Sequence, residues 1–188
     1  MSIGTVILVI LVAIVLYLIA IYNKFVSLQS GIDAAWSDID VQLKRRHNLI
    51  PALIETVKGY KNYEAGTLES VIRARQQSIE AKTPAEKSAA ESLLGASLGK
   101  LFALAEAYPE LKADTQFSNL QGELSHMEDA IQNARRYYNA IVRDYNASLR
   151  SFPDVLIAQK FRFEPREFFE LDPQEADAVR QMPQVDLQ

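Results

Sequence analysis

The chain has 188 residues, with 20 Lys and Arg against 24 Asp and Glu, a net charge of −4 and no cysteine. These values exclude a disulfide framework, thiol chemistry and a cysteine-based zinc site. They also lack the concentrated basic footprint that nucleic acid needs, so no nucleic-acid partner is expected. Charge is unevenly placed, because residues 164–188 hold seven acids and two bases while the rest is close to neutral.

The first element is a run of 19 uncharged residues, Ile3 to Ile21, of which 14 are Ile, Leu or Val. At ~1.5 Å per residue a helix of this length spans about 28 Å, close to the hydrocarbon thickness of a bilayer. A cleaved leader would have a basic start, a shorter apolar core and small residues at the cleavage site. The run instead ends in Ile21-Tyr22-Asn23-Lys24. We expect an uncleaved single-pass anchor at residues 1–22, with the lipid bilayer contacting residues 3–21. Lys24 directly after the span, with no Lys or Arg before it, places the N-terminus outside and the remainder in the cytoplasm by the positive-inside rule. The expected location is the bacterial inner membrane.

Beyond the anchor the chain reads as all-α, with no alternating strand pattern and only seven Gly and seven Pro. Tyr22, Phe25, Gln29, Ile32, Trp36, Ile39, Leu43, Arg46, Ile50, Leu53, Val57 and Tyr60 recur at steps of three and four. They form one coiled-coil-like seam continuous with the membrane helix. Pro51 removes a backbone donor from it, so a kink or short break is expected near His47 to Ile50. Around Gly59 to Gly66 the pattern loosens, as a turn or as a drift of the buried face, and resumes with Leu68, Ile72, Arg75 and Ile79. Thr83-Pro84-Ala85-Glu86 is a capping box with proline at the first helical position. It opens a helix to about Ala107, closed by Tyr108-Pro109-Glu110.

The last long helix is expected from Thr115 to Arg150, with a seam through Phe117, Leu120, Leu124, Met127, Ile131, Ala134, Tyr138, Ile141 and Tyr145. Such a stripe must bury against the first helix, and short connections make neighbours antiparallel. The expected architecture is an N-terminal transmembrane helix continuous with an antiparallel up-down four-helix bundle at residues 23–163. Ser151-Phe152-Pro153 ends the bundle and caps a short helix through Gln159. Residues 164–188 form an acidic, proline-containing tail, read as mobile from Asp172 on with room for a helical turn after Pro173.

These residues resemble the bacterial LemA family over nearly the whole chain. Tyr22-Asn23-Lys24 resembles that family's membrane exit. The most specific block is Ala35-Trp36-Ser37-Asp38-Ile39-Asp40-Val41-Gln42-Leu43-Lys44-Arg45-Arg46, followed by Leu49-Ile50-Pro51 and Glu55-Thr56-Val57-Lys58-Gly59-Tyr60. Ala105-Glu106-Ala107-Tyr108-Pro109-Glu110-Leu111-Lys112, Arg135-Arg136-Tyr137-Tyr138-Asn139, Tyr145-Asn146 and Ser151-Phe152-Pro153 follow in order. The resemblance implies a single-pass membrane protein with a four-helix-bundle domain, associated with the cell envelope. It implies no established catalytic activity, cofactor or substrate.

Arg46 is the most informative single residue, because it occupies a seam position that should be apolar. A guanidinium there is expected in a buried ion pair, with a bound anion or a subunit contact as alternatives. Lys44-Arg45-Arg46-His47 lies roughly 35 Å from the membrane along a straight helix, beyond the ~8 Å Debye length. We therefore read it as a solvated face that Asp38, Asp40 and Arg45 can pair along. Glu123-x-x-His126 has the step used by di-iron bundles, but its partner motif is absent, so no metal is expected. Gly95-x-x-x-Gly99 is expected to allow a close helix crossing. Tyr138 and Tyr145 are expected in the core, and Asn139 and Asn146 beside it, bonding across the bundle or to another subunit. Trp36, Gln42, Arg135 and Arg136 complete the candidate interaction and structural residues.

With two histidines and no cysteine, a Ser-His-Asp or Cys-His site lacks parts, and no Gly-rich phosphate loop exists. The expected function is a membrane-anchored, non-enzymatic scaffold without a cofactor. It would self-associate as a homo-oligomer and organise the membrane or recruit a membrane protein to it. A sensory bundle holding a ligand near Arg46 is the alternative. An enzyme would have to work through a carboxylate pair such as Asp38 and Asp40.

Overall fold

The structure is a computed structural model, and it describes residues 2–60 and 65–169. The described residues form six helices: α1 (Ile3–Lys58), α2 (Ala65–Glu80), α3 (Pro84–Ala105), α4 (Pro109–Lys112), α5 (Thr115–Ser148) and α6 (Asp154–Phe161). No strand occurs among them. The expectations for residues 170–188, including the mobile tail from Asp172, lie outside the described residues. The described residues divide into two compact units, one of residues 2–40 with 133–168 and one of residues 41–60 and 65–132 with Phe169. The boundaries fall inside α1 and α5, so each of these helices supplies a segment to both units.

The first unit carries the apolar start of α1, which is long and apolar enough to cross a membrane and is not buried. Its side chains face outward, with Ile7, Leu11 and Leu16 all more than half exposed. Burial starts where that run stops: Ile21, Phe25, Ile32, Ala35 and Ile39 of α1 are enclosed, as are Tyr138, Val142 and Tyr145 of α5 and Ile157 and Ala158 of α6. Aromatic rings pack within this largely aliphatic core. Phe25 meets Tyr145 edge-on with centroids 6.0 Å apart and stacks on Phe163 at 4.8 Å. Ile141 of α5 packs over Gly31, where its side chain would lie 3.8 Å from an added Cβ.

In the second unit one apolar core joins Ile50, Leu53, Ile54 and Val57 of α1 with Leu68, Val71 and Ala74 of α2. Leu94, Leu98, Leu101 and Ala105 of α3, Leu111 of α4, and Phe117, Leu120 and Leu124 of α5 complete it. The buried face of α2 differs from the expected one: Leu68, Val71, Ala74 and Ser78 are inside, while Ile72 and Ile79 are each 47% exposed. Both sets follow helical spacing. The reading from aliphatic size chose the larger side chains, whereas the core takes the smaller ones and a serine with a polar partner.

Local signals set the ends of these helices. At α3 the Thr83 hydroxyl accepts from the Glu86 amide, and the Glu86 carboxylate accepts from the Thr83 amide, both at 3.2 Å. Asp114 caps α5 by accepting from the Phe117 amide at 2.8 Å, and its other oxygen accepts from the Tyr60 hydroxyl at 2.8 Å. Those bonds hold the Asp114 carboxyl below the usual aspartate range. The helix α1 ends at Lys58, with Gly59 in a turn, and α2 begins at Ala65, so two helices and not a drift of one helix flank the loosened pattern. The helix α1 runs through Pro51 without a break. The Gly95-x-x-x-Gly99 step does not mark a tight crossing, because a Cβ on Gly95 would meet Arg46 Nη2 at an ordinary 3.5 Å and one on Gly99 would meet nothing.

Candidate functional site: a buried charged cluster

Arg46 and His47 are consecutive on α1, one turn before Ile50, and only 4% and 6% exposed. Opposite them on α3 is Glu91, 1% exposed, and on α2 Ser78, also 1% exposed. All four belong to the second unit. The Glu91 carboxylate meets three side-chain partners. Its Oε2 accepts from Arg46 Nη1 at 3.2 Å, and its Oε1 is 2.7 Å from His47 Nε2 and accepts from the Ser78 hydroxyl. Arg46 Nη1 also pairs with Glu128 of α5 at 3.0 Å, the more exposed partner. Helices α1, α2, α3 and α5 thus meet in one polar knot.

A second cation completes it from α2. Arg75 Nε donates to the backbone carbonyl of His47 at 2.8 Å. That carbonyl is four residues before Pro51, the position whose missing N–H would have bonded it. Arg75 therefore gives that carbonyl a donor in place of the one proline withholds, and α1 continues through Pro51.

The electrostatics follow from this geometry. Burial pushes the Glu91 carboxyl upward, but hydrogen bonds from His47 and Ser78 and the nearby Arg46 charge outweigh it. The net effect holds Glu91 below its ordinary value of 4.5. A carboxyl held low in the folded state binds fewer protons there than in the unfolded chain. The stability it contributes is fully present above the unfolded value and is lost as pH falls through the folded one. Stability should therefore decline on acidification below about pH 5 as that contribution is lost, and Glu91→Gln should flatten this acid limb. Denaturant midpoints measured from about pH 7 down to about pH 3, the range in which carboxylates titrate, check this; parallel curves for both chains would refute it.

Ser78, His47 and Glu91 are residue types that make nucleophilic triads, yet their arrangement is different. In a triad the serine and the acid occupy opposite ring nitrogens. Here Ser78 lies 3.0 Å from the same Nε2 that faces Glu91. The serine hydroxyl is also turned to the carboxylate and enclosed, so the group acts as a satisfied structural knot. Among the described residues no three His, Asp or Glu side chains group to hold a metal.

The remaining candidates are distributed as follows. In the first unit, Trp36 is half-buried with its ring 5.6 Å from Tyr138, and Asp38 is exposed. Asp40 is half-buried and engaged in an interaction of its own. Asp38 and Asp40 are two residues apart on a helix and so do not face a common point. In the second unit, Arg45 and Lys44 are exposed, while Arg46 and His47 are buried, so the basic run is not one solvated face. Gln42 is half-buried with its amide oxygen enclosed and without a hydrogen-bond partner among the described residues.

On α5, Arg136 is exposed and donates to Asn133 at 2.8 Å, while Arg135 and Asn139 are half-buried and both engaged. Tyr145 accepts from Gln29 at 3.2 Å, and burial pushes its hydroxyl upward. Tyr138 and Asn146 hold the chain's own segment after α6. The Tyr138 hydroxyl donates to the Glu167 carbonyl at 2.9 Å, and the Asn146 amide bonds both the N–H and the C=O of Arg166 at 2.9 and 2.8 Å. Arg166 also pairs with Asp33 at 3.6 Å. Asn146→Ala should release this clamp, increasing amide hydrogen exchange at Arg166 to Phe168 severalfold while Val142 stays protected; unchanged exchange would contradict it.

Sequence reasoning missed Glu91, Ser78, Arg75 and Glu128 as members of one cluster. A signal for Glu91 was present, since Glu91, Leu94, Leu98, Leu101 and Ala105 recur at three and four. It is an acid on an apolar stripe, as Arg46 is a base on another.

These features define a class: an all-helical protein with an apolar N-terminal helix able to cross a membrane and a buried ion-pair knot tying helical segments together. The chain belongs to the LemA family, whose profile matches residues 35–187. It is 32% identical to the protein LemA of Metamycoplasma hominis, over 73% of this chain and 64% of that protein, just under two thirds of its length. It is 26% identical to the magnetosome protein MamQ of Magnetospirillum gryphiswaldense, over 87% of this chain and 70% of the relative. The magnetosome protein MamQ 2 of Paramagnetospirillum magneticum is also 26% identical, over 86% of this chain and 69% of its own length.

Proposed function

We propose that this protein is a membrane-anchored helical-bundle scaffold that self-associates and organises the bacterial membrane or recruits a membrane protein to it, without catalysis. The observation that carries the reading is the exposed apolar run of α1, which ends at Ile21 where burial of the same helix begins. Water does not tolerate that many outward Ile, Leu and Val side chains, and a bilayer does. The buried charged groups that could have served a reaction are used up on one another in the knot. The names of the relatives, LemA and magnetosome protein, specify no reaction.

In this reading the helical segments form an antiparallel four-helix bundle, and Lys24 sets it on the cytoplasmic side of the inner membrane. An apolar cleft between Val57, Tyr60, Leu101 and Leu111 has a cavity of about 10 Å³. That holds about one water, so it offers little to a ligand-sensing role. The test is the particle mass of the full chain in nanodiscs or mild detergent beside a chain beginning at Asn23. A discrete assembly that needs residues 1–22 supports the scaffold; monomers in both refute it.

A further inference from the structure

We propose that α6 and the turn before it form a second lipid contact, lying in the headgroup layer of the same bilayer that α1 crosses. This rests on reading Ile3–Ile21 as the membrane span. All the residues concerned belong to the first unit.

The placement comes from two ties to α1 at the end of the apolar run. Tyr22, the first residue after it, packs its ring against Phe161 with centroids 4.8 Å apart. Two residues on, Lys24 pairs with Asp154 at 2.5 Å. Both ends of α6 are therefore tied to α1 within one turn of the boundary between hydrocarbon and headgroups. Aromatic rings at that depth suit the interface, where their apolar bodies and polar tips are both satisfied.

The outward surface of this segment is apolar and basic. Ile157 and Ala158 face the core, whereas Phe152 is 81%, Leu156 55% and Phe161 54% exposed. Such side chains have no use in water beside a membrane and gain by entering it. Exposed Arg150, Lys160 and Arg162 surround them, and the one acid between Arg150 and Arg162 is Asp154, already neutralised by Lys24. Apolar residues flanked by long cations whose heads can reach phosphate groups match an anionic bilayer surface.

The absence of cysteine from the chain makes single-site labelling direct. The full chain would be placed in nanodiscs of phosphatidylethanolamine and phosphatidylglycerol, with one fluorophore at Leu156→Cys, Phe152→Cys, Ile10→Cys or Arg136→Cys. Spin-labelled lipids then report depth by quenching. We expect Leu156→Cys and Phe152→Cys to be quenched by shallow labels and Ile10→Cys by deep ones. Arg136→Cys lies close to Tyr138, which packs on Trp36. That level is about 22 Å beyond Ile21 along α1, so Arg136→Cys should be untouched. Replacing phosphatidylglycerol with phosphatidylcholine should reduce quenching at Leu156→Cys severalfold. Quenching at Ile10→Cys with none at positions 152 and 156 would overturn this proposal and leave the anchor standing. No quenching at Ile10→Cys would overturn both. A label at 156 that is shielded from water yet unquenched would mean a protein cover, and would also overturn it.

Discussion

Arg46→Ala is expected to destabilise the fold by about 3–5 kcal/mol, because it leaves Glu91 buried without its cationic partner. Glu91 is 1% exposed and has no route to water for its charge. Glu128 would lose less, since its side chain is already 37% exposed. Arg46→Met should be milder than Arg46→Ala, as methionine keeps much of the stem volume and avoids a cavity. The decisive comparison is the double replacement Arg46→Met with Glu91→Met. Removing both charges together should recover most of the loss, since an apolar pair of similar volume is often as stable as a buried ion pair. His47 and Ser78 would then lose a shared acceptor, which limits the recovery. Denaturant unfolding followed by helical circular dichroism measures each of these chains. Equal losses for Arg46→Ala and Arg46→Met would show that the stem adds nothing, whereas a double variant no better than the worse single one would sink the ion-pair account.

Arg75→Leu is expected to cost about 1.5–3 kcal/mol, the range for a hydrogen bond with a charged partner. The cause is the His47 carbonyl, which the Pro51 ring leaves without an intrahelical donor and which Arg75 meets at 2.8 Å. Pro51→Ala restores an N–H at position 51 and so gives that carbonyl a partner of its own. In the Pro51→Ala background, Arg75→Leu should therefore cost less by about 1–2 kcal/mol, a coupling typical of groups in one network. Additive losses across the cycle would show that Arg75 acts elsewhere. The cycle uses the helix defect as its own control, because only an arginine that repairs the defect becomes dispensable when the defect is removed.

Much of the backbone plan was readable from periodicity. The apolar run to Ile21, the seam of α1, the Thr83 capping box and the stripe of α5 are each local chemical patterns. The three long ones repeat many times, which makes them insensitive to a single misplaced residue. The capping box carries its own partner three residues away, so its geometry is written within one turn. Even the oddity of Arg46 was legible, as a charge on an apolar stripe, and the sequence held the same kind of signal for Glu91.

What periodicity did not decide was which groups face one another across the core. On α2, Leu68 with Ile72 and Ile79 and Leu68 with Val71 and Ser78 obey the same helical spacing. Packing of Val71 into the shared apolar core and contact of Ser78 with His47 and Glu91 select the second set. The same holds for Arg75 and the His47 carbonyl, which are 28 positions apart. Asn146 and Arg166 are another such pair, 20 positions apart, and their bonds tie the chain to itself. By itself the sequence determined the helices, most of their apolar faces and the apolar N-terminal run, because these depend on neighbours within a turn or two. The tertiary structure alone decided the partners of the buried charges and the repair of Pro51, because a hydrogen bond is satisfied by distance in space and carries no mark of its partner along the chain.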